Sequence, residues 1–85
     1  MNDTEFDILD ELYFLQPFQH LQETLQIEEK ILKKNLETLL QKEWVKCFAS
    51  ATEEVLNDQE INFETDYKKY YYLATKKGLL AHNGH

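Results

Sequence analysis

The side chains with most chemistry to offer are nine lysines, and they fall in two runs. Lys30, Lys33, Lys34, Lys42 and Lys46 form the first run, and Lys68, Lys69, Lys76 and Lys77 the second. An ammonium is a point charge suited to phosphate or carboxylate oxygens. Lysines three and four apart could therefore line one helix face that meets a polyanion. The sequence has no arginine, so the planar fork that reads guanine with two bonds is missing. Against the lysines stand 16 acidic residues and a net charge of −7. The acids are sorted too: residues 1–29 hold eight acids and no base, and residues 47–66 hold six acids and no base. Along the chain the charge runs acid, base, acid, base. Such blocks can pair with one another across a small fold, or the basic ones can face an anionic partner.

Other reactive types give less. The histidines are His20, His82 and His85, and the last two are three apart without a cysteine or carboxylate at ligand spacing. Cys47 is the only cysteine, so no internal disulfide forms and a small buried hydrophobe is expected there. The only glycines are Gly78 and Gly84, which excludes a glycine-rich phosphate loop. The acids of 53–66 lack the glycine and the spacing of a calcium loop. No enzyme activity, metal, cofactor or small-molecule substrate is expected. The tyrosines Tyr67, Tyr70, Tyr71 and Tyr72 could stack on bases. Strand alternation sends Tyr71 and Leu73 to one face and Tyr70 and Tyr72 to the other, with Tyr71 assigned to the core.

The elements that would position these groups must come from 85 residues, 42% of them hydrophobic. That length makes one domain, 1–85, with residues 1–4 and 82–85 expected to fray. The start has no basic region or apolar run of a signal peptide. No stretch nears the roughly 18 apolar residues of a membrane span. Cytoplasm is the expected location, with no membrane partner.

Phe6, Leu9, Leu12 and Tyr13 recur at helical spacing. Asp3 or Thr4 is a suitable cap, and the helix is expected to end near Leu15 or Gln16, before Pro17. Pro17 can open a second helix carrying Phe18, Leu21 and Leu25, with a turn at Gln26–Ile27. The third helix, 28–42, is the clearest: Ile31, Leu32, Leu36, Leu39 and Leu40 keep one apolar stripe, and Trp44 is expected as a core anchor. A strand follows from Trp44 to Ala49. Residues 50–66 read as an acidic loop, with a helical turn at 51–56 and a bend at Asn57–Asp58. A second strand runs from Tyr67 to Ala74, and a short segment begins at Leu79.

This order resembles the winged helix-turn-helix domains of small bacterial transcription regulators (the MarR-, PadR- and ArsR-like groups). Leu21, Leu25, Ile27, Leu32, Leu36 and Leu39 match their apolar positions. Glu43-Trp44-Val45 matches the step into the first wing strand, and Tyr71-Tyr72-Leu73 with Gly78 looks like the end of the wing. The sequence differs at Gln26 and Glu43, where those domains often carry glycine, and at Glu28, where they often carry Ser or Thr. The resemblance implies an α+β winged helix: a three-helix core, a two-stranded β-hairpin wing and a short C-terminal segment. It also implies duplex DNA read by helix 28–42, usually as a homodimer. Lys30, Lys33 and Lys34 would face the groove, Asn35 could read an adenine, and Lys46, Lys68 and Lys69 would touch flanking phosphates. Phe6, Tyr13 and the segment after Gly78 are candidate dimer contacts. The alternative is an acidic winged-helix module that binds protein and no DNA.

Overall fold

The computed structural model describes residues 1–54 and 62–84. Helix α1 spans Asp3–Glu11 and is capped by Asn2. The Asn2 side chain accepts from the Glu5 N–H at 2.7 Å, and Glu5 Oε1 accepts from the Asn2 N–H at 3.1 Å. This reciprocal box satisfies two donors that a bare helix start leaves orphaned. The cap is therefore Asn2, not Asp3 or Thr4, and α1 begins at Asp3, within the stretch expected to fray. Ile8, Leu9 and Leu12 are buried.

The helix ends at Glu11, earlier than Pro17 alone requires. The Leu12 N–H closes it on the Ile8 and Leu9 carbonyls. The Leu12 carbonyl then accepts from the Ala74 N–H at 2.9 Å. Gln16–Pro17 forms a two-residue strand, β1. Helix α2 is Phe18–Leu25 and closes on Gln26 at φ 53°. Helix α3 is Glu29–Gln41 and buries Leu32, Leu36 and Leu39, at spacings of four and three. Its end turns through Glu43 at φ 63°. Gln26 and Glu43 thus hold the left-handed conformation that favours glycine.

Strand β2 is Val45–Ser50, β3 is Glu53–Glu54, and β4 is Tyr71–Ala74. Between β3 and β4 lies the one-turn helix α4, Phe63–Asp66, and α5 closes the chain at Lys76–Asn83. The strands run in the order β1-β4-β2-β3, each pair antiparallel. They make one four-stranded sheet with the two-residue strands β1 and β3 at its edges.

This corrects the expected three-helix core with a two-stranded hairpin wing. The described residues form five helices, and the sheet gains a strand because Gln16 and Pro17 pair with Tyr72 and Tyr71. Pro17 lacks an N–H but is tolerated there, because β1 lies at the edge of the sheet. The second expected strand starts at Tyr71, since α4 and the turn after it take up Phe63 to Lys69. The expected bend at Asn57–Asp58, part of the expected turn at 51–56, and His85 lie outside the described residues.

The face of β4 is also the reverse of the expected one. Register pairs Cys47 with Tyr72 and Val45 with Ala74, and these four residues are buried. Tyr71 and Leu73 lie half-buried on the other face. Tyr72 can be fully buried because its hydroxyl donates to the Tyr67 carbonyl at 2.6 Å. Burial pushes the Cys47 thiol up to about 11, so the single cysteine is a packed core group.

Candidate functional site

The lysines expected to meet an anion lie on α3, β2 and the turn between α4 and β4. Lys33 Nζ meets Glu64 Oε2 at 2.8 Å, and Lys46 Nζ meets Glu54 Oε1 at 3.1 Å. Lys68 Nζ meets Glu29 Oε1 at 2.8 Å, and Lys69 Nζ meets Asp66 Oδ1 at 3.6 Å. Lys30 and Lys34, one turn apart on α3, are exposed and make no ion pair among the described residues. Asn35 is engaged locally: its amide donates to the Ile31 carbonyl at 2.8 Å, and its oxygen accepts from Asn2 at 3.4 Å. The six lysines are thus four paired and two open, and Asn35 is turned toward α1.

Four of these charges interlock around Tyr67. Its hydroxyl donates to Glu29 Oε2, while Lys33 Nζ stands 4.9 Å from its ring centroid. Phe18 packs edge-on to the same ring at 5.2 Å. The hydrogen bond from Lys68, then that from Tyr67, holds the Glu29 carboxyl below the usual range. Lys33 does the same to Glu64. Conversely Glu64 raises Lys33, and Glu29 raises Lys68 and Tyr67. Buried Phe63 anchors the segment beneath. The side of α3 bearing Glu29 and Lys33 is therefore engaged by the segment from α4 to Lys68. A shallow groove of about 260 Å³ beside it is lined by Phe18, Gln19, Gln22, Glu29 and Lys68, smaller than most small-molecule sites. Among the described residues no group of three His, Cys, Asp or Glu could hold a metal.

A second surface lies where α1 and α5 meet. Thr75 caps α5, its hydroxyl accepting from the Gly78 N–H at 3.0 Å and donating to the Glu43 carbonyl at 2.7 Å. Gly78 then sits on Trp44: a Cβ there would stand 2.1 Å from the Trp44 carbonyl oxygen. At the far end of α5 the His82 ring stacks on Phe6 at 4.2 Å and meets Tyr13 edge-on at 5.5 Å. The Tyr13 hydroxyl donates to Asn83 Oδ1 at 2.9 Å and lies 3.1 Å from His82 Nδ1. His82, expected to fray, is packed instead. Phe14, just past α1, and Leu80, on α5, remain 76% and 64% exposed. Exposed Asp3 and Asp7 line α1, and exposed Lys76 and Lys77 open α5.

Sequence reasoning missed Phe14 and Leu80 as surface groups. Their signal was weak: Phe14 falls outside the helical stripe, and Leu80 stands between the half-buried Leu79 and Ala81. No helix among the described residues is long and apolar enough to cross a membrane. No protein-family model, curated protein or solved structure matches this chain.

Proposed function

We propose that this chain is a protein-interaction domain, not an enzyme, and that it pairs with a second copy of itself through the α1–α5 face. The observation that carries this reading is the exposure of Phe14, which follows α1, and Leu80, on α5. Large apolar groups left in water on a small fold mark a contact surface. Charge supports a second copy as the occupant. Exposed acids on α1 and exposed lysines on α5 give each copy both signs of charge to set against its partner. A single buried thiol suits a reducing cytoplasm.

Sedimentation equilibrium across a concentration series tests the reading. The expected result is a dimer that Phe14→Asp with Leu80→Asp converts to a folded monomer. A wild type that stays monomeric throughout, or a double variant that still dimerises, overturns it.

A second reading is a transcription-regulator-like domain that binds duplex DNA through α3. It is favoured by Lys30 and Lys34, exposed and unpaired one turn apart. Two such helices in a dimer would double the basic surface. Binding that weakens with added salt and with Lys30→Ala plus Lys34→Ala is the expected sign.

A further inference from the structure

The ion pairs follow a pattern that chance placement of surface charge does not require. Glu54, Glu64 and Asp66 of the acidic stretch 53–66 each sit on a lysine expected to meet DNA, Lys33 in the groove and Lys46 and Lys69 at flanking phosphates. Glu54 holds Lys46, Glu64 holds Lys33, and Asp66 holds Lys69. The separation for Glu64 is 2.8 Å, the range of a charge-assisted bond from an ammonium to an anionic oxygen. Glu54 and Glu64 reach Lys46 and Lys33 from other elements, and Asp66 meets Lys69 three positions along the chain.

The pairs are also exchangeable. Side-chain exposure is 67% for Glu64, 79% for Lys69 and 39% for Lys46. Exposed pairs of this kind are weak, so an incoming phosphate displaces each carboxylate at a small cost that adds over the set. Burial of Phe63 and the Tyr72–Tyr67 hydrogen bond hold the backbone in place, so the lysines can lose their carboxylates without the segment unfolding.

We propose that Glu54, Glu64 and Asp66 are built-in phosphate mimics that compete with duplex DNA for Lys46, Lys33 and Lys69, and that a cation taking those carboxylates strengthens duplex binding. The inference rests on the duplex-binding reading and adds a control to it. Lys30 and Lys34 stay open beside the masked set and give a weak first contact. Unmasking then extends the basic surface from α3 onto β2 and the turn before β4.

The test is fluorescence anisotropy with a labelled mixed-sequence duplex at low salt. The unmasked variant carries Glu54→Gln, Glu64→Gln and Asp66→Asn. A charge-matched control carries Glu11→Gln, Glu23→Gln and Glu43→Gln, which changes net charge equally without touching the paired carboxylates. Thermal melts check that each chain is folded. The unmasked variant is expected to bind at least about tenfold more tightly than the control. Adding Lys33→Met and Lys46→Met is expected to reverse that gain. Equal binding by the two variants shows that only net charge matters and overturns the proposal. Wild type binding as tightly as the unmasked variant overturns mimicry but leaves the duplex reading standing. Absence of binding by every chain overturns both.

Discussion

Two regions hold the periphery of this molecule to its core by opposite means. Around Tyr67, Glu29, Lys33, Glu64 and Lys68 interlock at the surface through charge. At the start of α5, Thr75 and Gly78 press on the backbone of Glu43 and Trp44 with no room for a methyl group. The first region is directional yet replaceable, since water or another ion can take either partner's place. The second has no substitute for its contacts, because close-packed backbone cannot move aside without strain. A region that must stay put is built by packing, and one that can exchange partners is built by charge.

The sharpest way to break this contrast is Gly78→Ala. Its Cβ would collide with the Trp44 carbonyl, and a loss of about 3 kcal/mol is expected in urea melts. Gly84→Ala is the matched control: its nearest contact is 3.3 Å, to the Leu80 carbonyl, and little change is expected. Thr75→Ala comes next, with a loss of about 1–2 kcal/mol from the lost cap, while Thr75→Ser retains most of the stability. Gln26→Gly and Glu43→Gly relieve the left-handed backbone at the ends of α2 and α3. Each is expected to gain about 0.5–1 kcal/mol, because the αL penalty exceeds the entropy cost of glycine. The smallest effect belongs to the charged region. Glu64→Gln is expected to leave the thermal midpoint within the scatter of the measurement, at low salt and high.

The charged region should show itself through pH. Glu29 and Glu64 are held below the ordinary carboxylate range by Lys68 and Lys33. Their contribution is present above that range and fades as pH falls through the lowered values. Lys33 and Lys68 are raised by the same partners. Their contribution is present below the ordinary lysine range and is lost as pH rises through the raised values. Glu5 adds to the acid limb from a buried position. Burial pushes its carboxyl up, but Lys42, bonded at 3.0 Å, and the Asn2 N–H outweigh it. Glu5→Gln should therefore flatten the acid limb of a stability–pH profile more than Glu64→Gln does. Equal flattening would show that the surface network is as strongly held as the buried pair.

Much of the helical structure was legible from periodicity. Leu32, Leu36 and Leu39 announced α3, and its observed span falls within a residue of the expected one at each end. Phe18 and Leu21 announced the buried side of α2. The sheet was less legible because strand pairing is non-local. Nothing in Gln16–Pro17 signals a strand until Tyr71 and Tyr72 lie beside it. The face of β4 was misread for a related reason: four aromatic or apolar residues in a row carry no alternation, so register against Cys47 had to decide. The lysines of the candidate site were visible as types, but their partners were not, since Glu64 reaches Lys33 from 31 positions away.

The sequence by itself determined the helix stripes, the punctuation at Pro17 and the separation of charge into four blocks, because each depends on neighbours within a turn or on simple counting. Tertiary structure alone decided that β1 joins the sheet, that Gly78 must lack a side chain, and that four of six expected contact lysines are already paired. Those outcomes depend on which distant residues are brought within a few ångströms, and both packing and Coulomb attraction act only once the chain has folded.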